Sequence, residues 1–243
     1  MSAIEAIGLT KRYRDTTAVD ALTLSIEEGE LFGLLGVNGA GKTTTVKMLS
    51  CLTSPSAGDA LLLGKSILTD AAAIKEMIAV SPQETAVAPA LSVRENLALM
   101  CGVHGLSKKQ SEERIAPLLS LLGLSAVERK RAGKLSGGFC RRLSIAMALI
   151  SEPRILFLDE PTLGLDVIAR SELWDLIRAL KTRATIVLTT HYMEEAEALC
   201  DRVAIMKDGR LLICDTPAGI KNAAGKESFG DAFIHIVKEG GTL

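Results

Sequence analysis

One segment constrains this chain more than any other: Gly36-Val37-Asn38-Gly39-Ala40-Gly41-Lys42-Thr43. An apolar run, Leu31-Phe32-Gly33-Leu34-Leu35, leads into it, and residues 42–52 behind it have helical composition. Such a run suits a strand buried on both faces, which belongs in a parallel sheet covered by helices. The glycines let backbone N–H groups converge on phosphate oxygens, and the following helix turns its positive end to the same anion. With a strand before and a helix after, the pattern is a P-loop. Lys42 is expected to reach the β- and γ-phosphates of a nucleotide, and Thr43 to offer its hydroxyl oxygen to Mg²⁺.

The rest of the composition narrows what surrounds that loop. At 243 residues the chain is long enough for one large domain, with no room for a second complete catalytic one. A formal net charge of -1 gives no electrostatic reason to expect a nucleic-acid partner. Hydrophobic residues make up 48% of the chain, yet charges break every apolar stretch. None approaches the roughly 18 residues of a membrane helix, so a soluble protein is expected. The opening Met1-Ser2-Ala3-Ile4-Glu5 lacks the basic segment and apolar run of a secretory signal, which points to the cytosol. Cys51, Cys101, Cys140, Cys200 and Cys214 show no Cys-x-x-Cys spacing and are expected to be reduced, mostly buried thiols.

Periodicity predicts strands over residues 4–9 and 21–26, the second with Leu22, Leu24 and Ile26 inward, and a strand pair over 58–67 broken at Gly64. From Gln83 to Pro153 the character turns helical. Ser92 and Glu95 form a capping-box pattern at the head of a helix reaching about Met100. Helical patterning continues over 107–122, where Pro117 should kink or divide it, and again over 136–150. A strand at 155–158, a helix at 168–181, a strand at 185–190 and a helix at 193–200 follow. Asp208-Gly209 then joins two strands as a hairpin. The tail after Thr216 is poorly patterned apart from residues 231–237. The expected fold is α/β: core lobe about 1–83 and 154–215, helical lobe about 84–153, and tail 216–243.

Ile155-Leu156-Phe157-Leu158-Asp159-Glu160 places two carboxylates at the end of a buried strand, where open parallel sheets bind ligands. Asp159 suits a Mg²⁺ ligand and Glu160 a base that polarises attacking water. Between this segment and the P-loop lies Leu135-Ser136-Gly137-Gly138, a helix start with an N-cap serine and therefore a second anion-binding end.

Those three segments, in that order, resemble ATP-binding-cassette (ABC) ATPases along nearly the whole chain. The resemblance implies a P-loop NTPase core with a mixed sheet, an antiparallel β subdomain and an inserted α-helical subdomain. It implies ATP held by Gly36, Asn38, Gly39, Ala40, Gly41, Lys42, Thr43 and Thr44, with Tyr13 stacked on adenine. Gln83 matches the glutamine that touches Mg²⁺ and the attacking water, so the metal set is Thr43, Gln83 and Asp159. His191 matches the histidine that contacts the γ-phosphate, and Gly164-Leu165-Asp166 the loop that contacts a partner subunit. For Asp166, a plain helix cap is an equally good reading.

Family architecture further implies that Ser136, Gly137 and Gly138 serve the nucleotide of a second copy, in a head-to-tail homodimer opened by hydrolysis. A separate integral membrane subunit would form the pathway, with this chain peripheral on its cytoplasmic face. The segment from Met193 to Arg202, with Met206-Lys207-Asp208-Gly209 and Asp231-Ala232-Phe233, resembles the drug, polysaccharide and lipid exporter branch. An importer subunit, a cytosolic ABC ATPase acting on ribosomes, DNA or cofactor assembly, and a regulator with little turnover are the alternatives. One position departs from the family: Phe139 stands where glutamine is common, followed by Cys140-Arg141-Arg142. The arginines are expected to form a solvated helix face.

Overall fold

A computed structural model of the protein describes residues 1–240. Along the chain run β1 (Ser2–Tyr13), β2 (Thr16–Glu27), β3 (Leu31–Gly36), α1 (Lys42–Leu49), β4 (Ala57–Leu62), β5 (Lys65–Ser66), α2 (Ala71–Met77) and β6 (Ile78–Ser81). Three longer helices follow, α3 (Val93–Val103), α4 (Lys108–Leu121) and α5 (Gly137–Leu149). Then come β7 (Ile155–Asp159), α6 (Val167–Leu180), β8 (Thr185–Thr190), α7 (Met193–Leu199), β9 (Arg202–Lys207), β10 (Arg210–Asp215), α8 (Pro217–Ala223) and α9 (Phe229–Glu239).

Two sheets stack. One is antiparallel, in the order β2-β1-β4-β5; the other runs β10-β9-β3-β8-β7-β6 and is parallel except for the β9–β10 hairpin. Strand alternation serves both faces of the second sheet at once. Phe32, Leu34, Ile155 and Phe157 join the core between the sheets, while Leu31, Leu35, Leu156 and Leu158 join the core under the helices. All eight are at most 1% exposed, each contributing about 1.5–3 kcal/mol of burial, which explains why β3 and β7 read as unbroken apolar runs. Parallel order puts the ends of β3, β7 and β8 along one rim, and the P-loop, Glu160 and His191 follow those ends.

Several elements depart from expectation. β1 and β2 extend well past residues 4–9 and 21–26, because their polar tips pair across the hairpin, Arg12 with Thr17 and Tyr13 with Thr16, without an apolar face to betray them. α4 passes through Pro117 undivided. α2 and β6 carry no apolar periodicity long enough to announce them. The tail is structured. Thr216 caps α8 with Pro217 in its first turn, Ser228 caps α9, and Ile220, Phe229, Ala232, Phe233 and Ile236 are buried in the main core. Of the cysteines only Cys101 and Cys200 are buried, the other three being partly exposed, and burial pushes the Cys200 thiol well up.

Candidate functional site

The phosphate-binding loop is held from behind by backbone. A side chain at Gly36 would place its Cβ 2.5 Å from the Met206 carbonyl, and one at Gly41, where φ is +100°, would place it 2.5 Å from the Ala18 carbonyl. The Asp208-Gly209 turn presses in as well: Gly209 N donates to Ala40 O at 3.2 Å, and Asp20 N to Gly209 O at 2.9 Å. Only glycine permits such approaches. α1 then begins with no side-chain cap and no acidic residue in its first turn, so its first N–H groups and dipole are left to face an anion.

The cleft in front measures about 590 Å³ and is lined by residues 38–44 together with Tyr13, Gln83, Glu160 and His191. Lys42, only 6% exposed, donates from Nζ to Gly36 O at 2.8 Å and lies 3.3 Å from Glu160 Oε1. The other oxygen of Glu160 is 2.7 Å from His191 Nδ1. Glu160 takes a left-handed backbone, φ 49°, which costs a side-chain-bearing residue about 1–3 kcal/mol and is held by its N–H bonding to both Thr189 O (3.1 Å) and Thr189 Oγ1 (3.0 Å). That turn aims its carboxylate back between Lys42 and His191. Tyr13 lines the cleft and is 46% exposed, accessible to a flat base.

Thr43 Oγ1 lies 3.3 Å from Asp159 Oδ1, which also accepts from the Thr189 hydroxyl. Two hard oxygens at this separation fit adjacent positions around an octahedral cation, whose ligand oxygens stand roughly 3 Å apart when each is about 2.1 Å from the metal. Thr189 is the site residue that sequence reading passed over. It joins Asp159 to the Glu160 backbone, and its only signal was its place at a strand end.

Ser136, Gly137, Gly138 and Asp166 do not line this cleft. The two glycines pack against the residues that flank Asp166: a Cβ on Gly137 would sit 3.6 Å from Leu165 Cδ2, and one on Gly138 3.3 Å from Ala169 Cβ. Asp166 Oδ1 accepts from Ile168 N and Ala169 N at 3.0 and 2.9 Å, so it does cap α6. Ser136 occupies the N-cap position of α5, yet its side chain makes no cap bond among the described residues, whereas Ser92 and Ser107 both close full capping boxes.

The expected solvated arginine face is corrected. Arg141 is 5% exposed and donates from Nη1 to Pro82 O at 2.7 Å and from Nη2 to Gln83 O at 2.6 Å. Arg142 ion-pairs with Glu172 and lies over the Phe139 ring, 5.4 Å from its centroid. The β6–Gln83 strap lies on one side of α5 and α6 on the other, so Arg141 is buried and Arg142 only partly exposed. A further buried acid lies deeper in the fold. Glu195, fully buried in α7, accepts from Trp174 Nε1 at 3.1 Å. Burial pushes this acid up, with the hydroxyls of Thr190 and Thr162 and the Trp174 donor offsetting part of the effect. Its Oε2 and the Thr162 hydroxyl have no well-aligned partner among the described residues.

A glycine-rich loop before α1, a lysine–glutamate–histidine line and a threonine–aspartate pair meet at the strand ends in one cleft, an arrangement that suits a nucleotide. Residues 19–163 match the family model described as ABC transporter. The chain is 42% identical over 218 residues to the Nod factor export ATP-binding protein I of Burkholderia orbicola, covering 89% of this chain and 72% of that protein. It is 40% identical over 224 residues to the daunorubicin/doxorubicin resistance ATP-binding protein DrrA of Streptomyces peucetius, covering 92% and 68%. Among solved structures, cbiO1 from Clostridium perfringens, part of the ABC transporter complex cbiONQ, superposes with a TM-score of 0.85 at 27% identity, covering 96% of this chain and 92% of that one. A dimeric ATP-binding cassette in a post-hydrolysis state bound to ADP and Pi superposes at 0.79 with 25% identity, covering 88% and 98%. The chain belongs to the ABC transporter family, as an ATP-binding subunit that hydrolyses ATP.

Proposed function

We propose that this chain powers export through a separate integral membrane subunit, working as a head-to-tail homodimer on the cytoplasmic face. Export is supported by the relatives, whose names are those of Nod factor export and daunorubicin/doxorubicin resistance proteins. A separate membrane subunit is in keeping with the helices: among the described residues none is long and apolar enough to cross a bilayer. The division into core (1–83 and 154–215), helical lobe (84–153) and tail (216–243) is the arrangement that would let a membrane subunit act on one lobe while ATP binds the other.

The observation that carries the reading is the pairing of a cleft complete in its own acids and bases with a signature end, Ser136 to Gly138, that lies outside it. In a head-to-tail pair, the free hydroxyl of Ser136 and the first N–H groups of α5 would meet the γ-phosphate held by Lys42 of the other copy, making ATP the bridge. Asp166 and its loop would lie beside the same contact.

Within the cleft, residues 38–44 and Lys42 bind and neutralise the phosphates, and Tyr13 stacks on the base. Glu160 orients a water and takes its proton as the water oxygen bonds to the γ-phosphorus and the bond to the β–γ bridging oxygen breaks, leaving ADP and phosphate. His191, hydrogen-bonded to Glu160, fixes that carboxylate and contacts the γ-phosphate. Thr43, Asp159 and Gln83 would hold Mg²⁺, which when bound neutralises charge on the β- and γ-oxygens.

Glu160→Gln keeps shape and removes the base. ATP binding should persist, steady-state hydrolysis should fall by about a hundredfold or more, and an ATP-bound dimer should accumulate on size-exclusion chromatography. Unchanged hydrolysis would overturn the role of Glu160.

A further inference from the structure

Three consecutive residues of the strap that carries Gln83 are held by one helix. Ser81 Oγ lies 3.1 Å from Ser144 Oγ, both buried, and one turn earlier on α5 the Arg141 guanidinium forks onto the next two carbonyls, Pro82 O and Gln83 O. Residues 82–91 have no helix or strand of their own, and the strap next takes hold where Ala88 N donates to Asn96 Oδ1 at 2.8 Å. The backbone position of Gln83 is therefore set by α5 rather than by the loop it opens.

From this we infer that Arg141 is a positioning residue that locks Gln83 to the signature helix, so that the Ser136 end of α5 and the glutamine of the chain's own cleft move as one body. The inference rests on the role given to Gln83 above. Its physical basis is the fork. A guanidinium presents parallel donors in a rigid plane, and two adjacent carbonyls accept them at 2.7 and 2.6 Å. A lysine at this position could not span both.

A link of this kind gives the molecule a route between two nucleotides. When α5 meets ATP held by a second copy, a shift of the helix is transmitted to the Pro82–Gln83 carbonyls without passing through a flexible segment. The Gln83 side chain lines the chain's own cleft together with Glu160 and His191, while Gly137 and Arg141 face it from the adjoining hollow.

The test is a double-mutant cycle on the purified full chain, reading steady-state ATP hydrolysis, equilibrium ATP binding and thermal unfolding for Arg141→Met, Gln83→Ala and the double variant. Arg141→Met should lower kcat by about tenfold with KM for ATP changed by no more than about twofold, because the residue acts on the turnover geometry and not on phosphate binding. Arg141→Lys should recover part of that loss, and adding Arg141→Met to Gln83→Ala should cost nothing more. Wild-type kcat in Arg141→Met, equal losses in both backgrounds, or a KM rising in step with the lost turnover would each overturn the inference. If Arg141→Met does not unfold cooperatively, Arg141→Lys replaces it in the cycle, keeping the charge and losing the fork. Unchanged kcat in Gln83→Ala alone overturns the role of Gln83 itself, and that result is distinct because it involves no Arg141 variant.

Discussion

The rim of the parallel sheet and the head of α5 hold their polar groups in opposite ways. At the rim, the groups are buried or partly buried and satisfied by one another: Lys42 with Glu160, Glu160 with His191, Thr43 and Thr189 with Asp159. At the head of α5, the serine in the capping position withholds its side chain from the helix it begins. The two other serines at helix starts in this segment do the reverse. Ser92 accepts from Glu95 N and Ser107 from Gln110 N, each with a return bond from the third residue. One region is thus closed by bonds among its own side chains, and the other leaves a helix start without a side-chain cap among the described residues.

The sharpest way to break this contrast is at the rim. Lys42→Ala removes a buried cation from the cleft and leaves the Glu160 carboxylate with His191 as its close partner, so ATP binding should weaken and turnover disappear. Normal hydrolysis by that variant would sink the P-loop assignment. Next in size is Ser136→Ala. Loss of one hydrogen bond to a charged phosphate should lower dimer turnover by roughly tenfold or more, while thermal stability and ATP binding by the single chain stay near wild type. Ser92→Ala should give the mirror image: hydrolysis intact, stability down by about 1 kcal/mol, and a melting temperature lower by about 2–4 °C. If Ser136→Ala instead destabilises the fold as Ser92→Ala does, the serine is an ordinary cap and the contrast fails.

How legible each region was follows from how local its chemistry is. Gly36 to Thr43 is contiguous, and its meaning depends only on a strand before and a helix after, both plain in the sequence. Ser92 with Glu95 is likewise a local pattern, and the structure contains the box. Thr189 was missed because its role exists only through the parallel register that sets Asp159 beside it on β7. Arg141 was misread for a related reason. Two adjacent arginines after Phe139 look solvated until one knows that the Gln83 strap and α6 cover both flanks of the helix. The tips of β1 and β2, polar and stabilised across the hairpin, had no apolar alternation to show. α9 was only partly visible, since Phe229 precedes the short stretch whose pattern stood out.

Behind the rim, Glu195 offers the smallest and most selective probe of how complete that region is. Its carboxyl is enclosed by α6 and the strand ends, with Trp174 donating to it, the hydroxyls of Thr162 and Thr190 nearby, and Glu160 as the charged group that adds to the effect of burial. Because burial raises the folded-state acid above its unfolded value, folded and unfolded chains both hold the proton below the ordinary carboxylate range. As pH climbs past that range the unfolded chain releases the proton and the folded chain keeps it, so stability falls until the folded group also ionises. Glu195→Gln cannot ionise and escapes this loss, although any cost of the altered contact with Trp174 is the same at every pH. The melting-temperature difference between Glu195→Gln and wild type should therefore move in favour of the variant as pH rises from the ordinary carboxylate range towards neutrality and above. A difference that stays flat across that window would mean the carboxyl is ionised in the folded protein, with its charge compensated by the surrounding hydroxyls and Trp174. The rim would then rest on a buried anion rather than on a neutral acid.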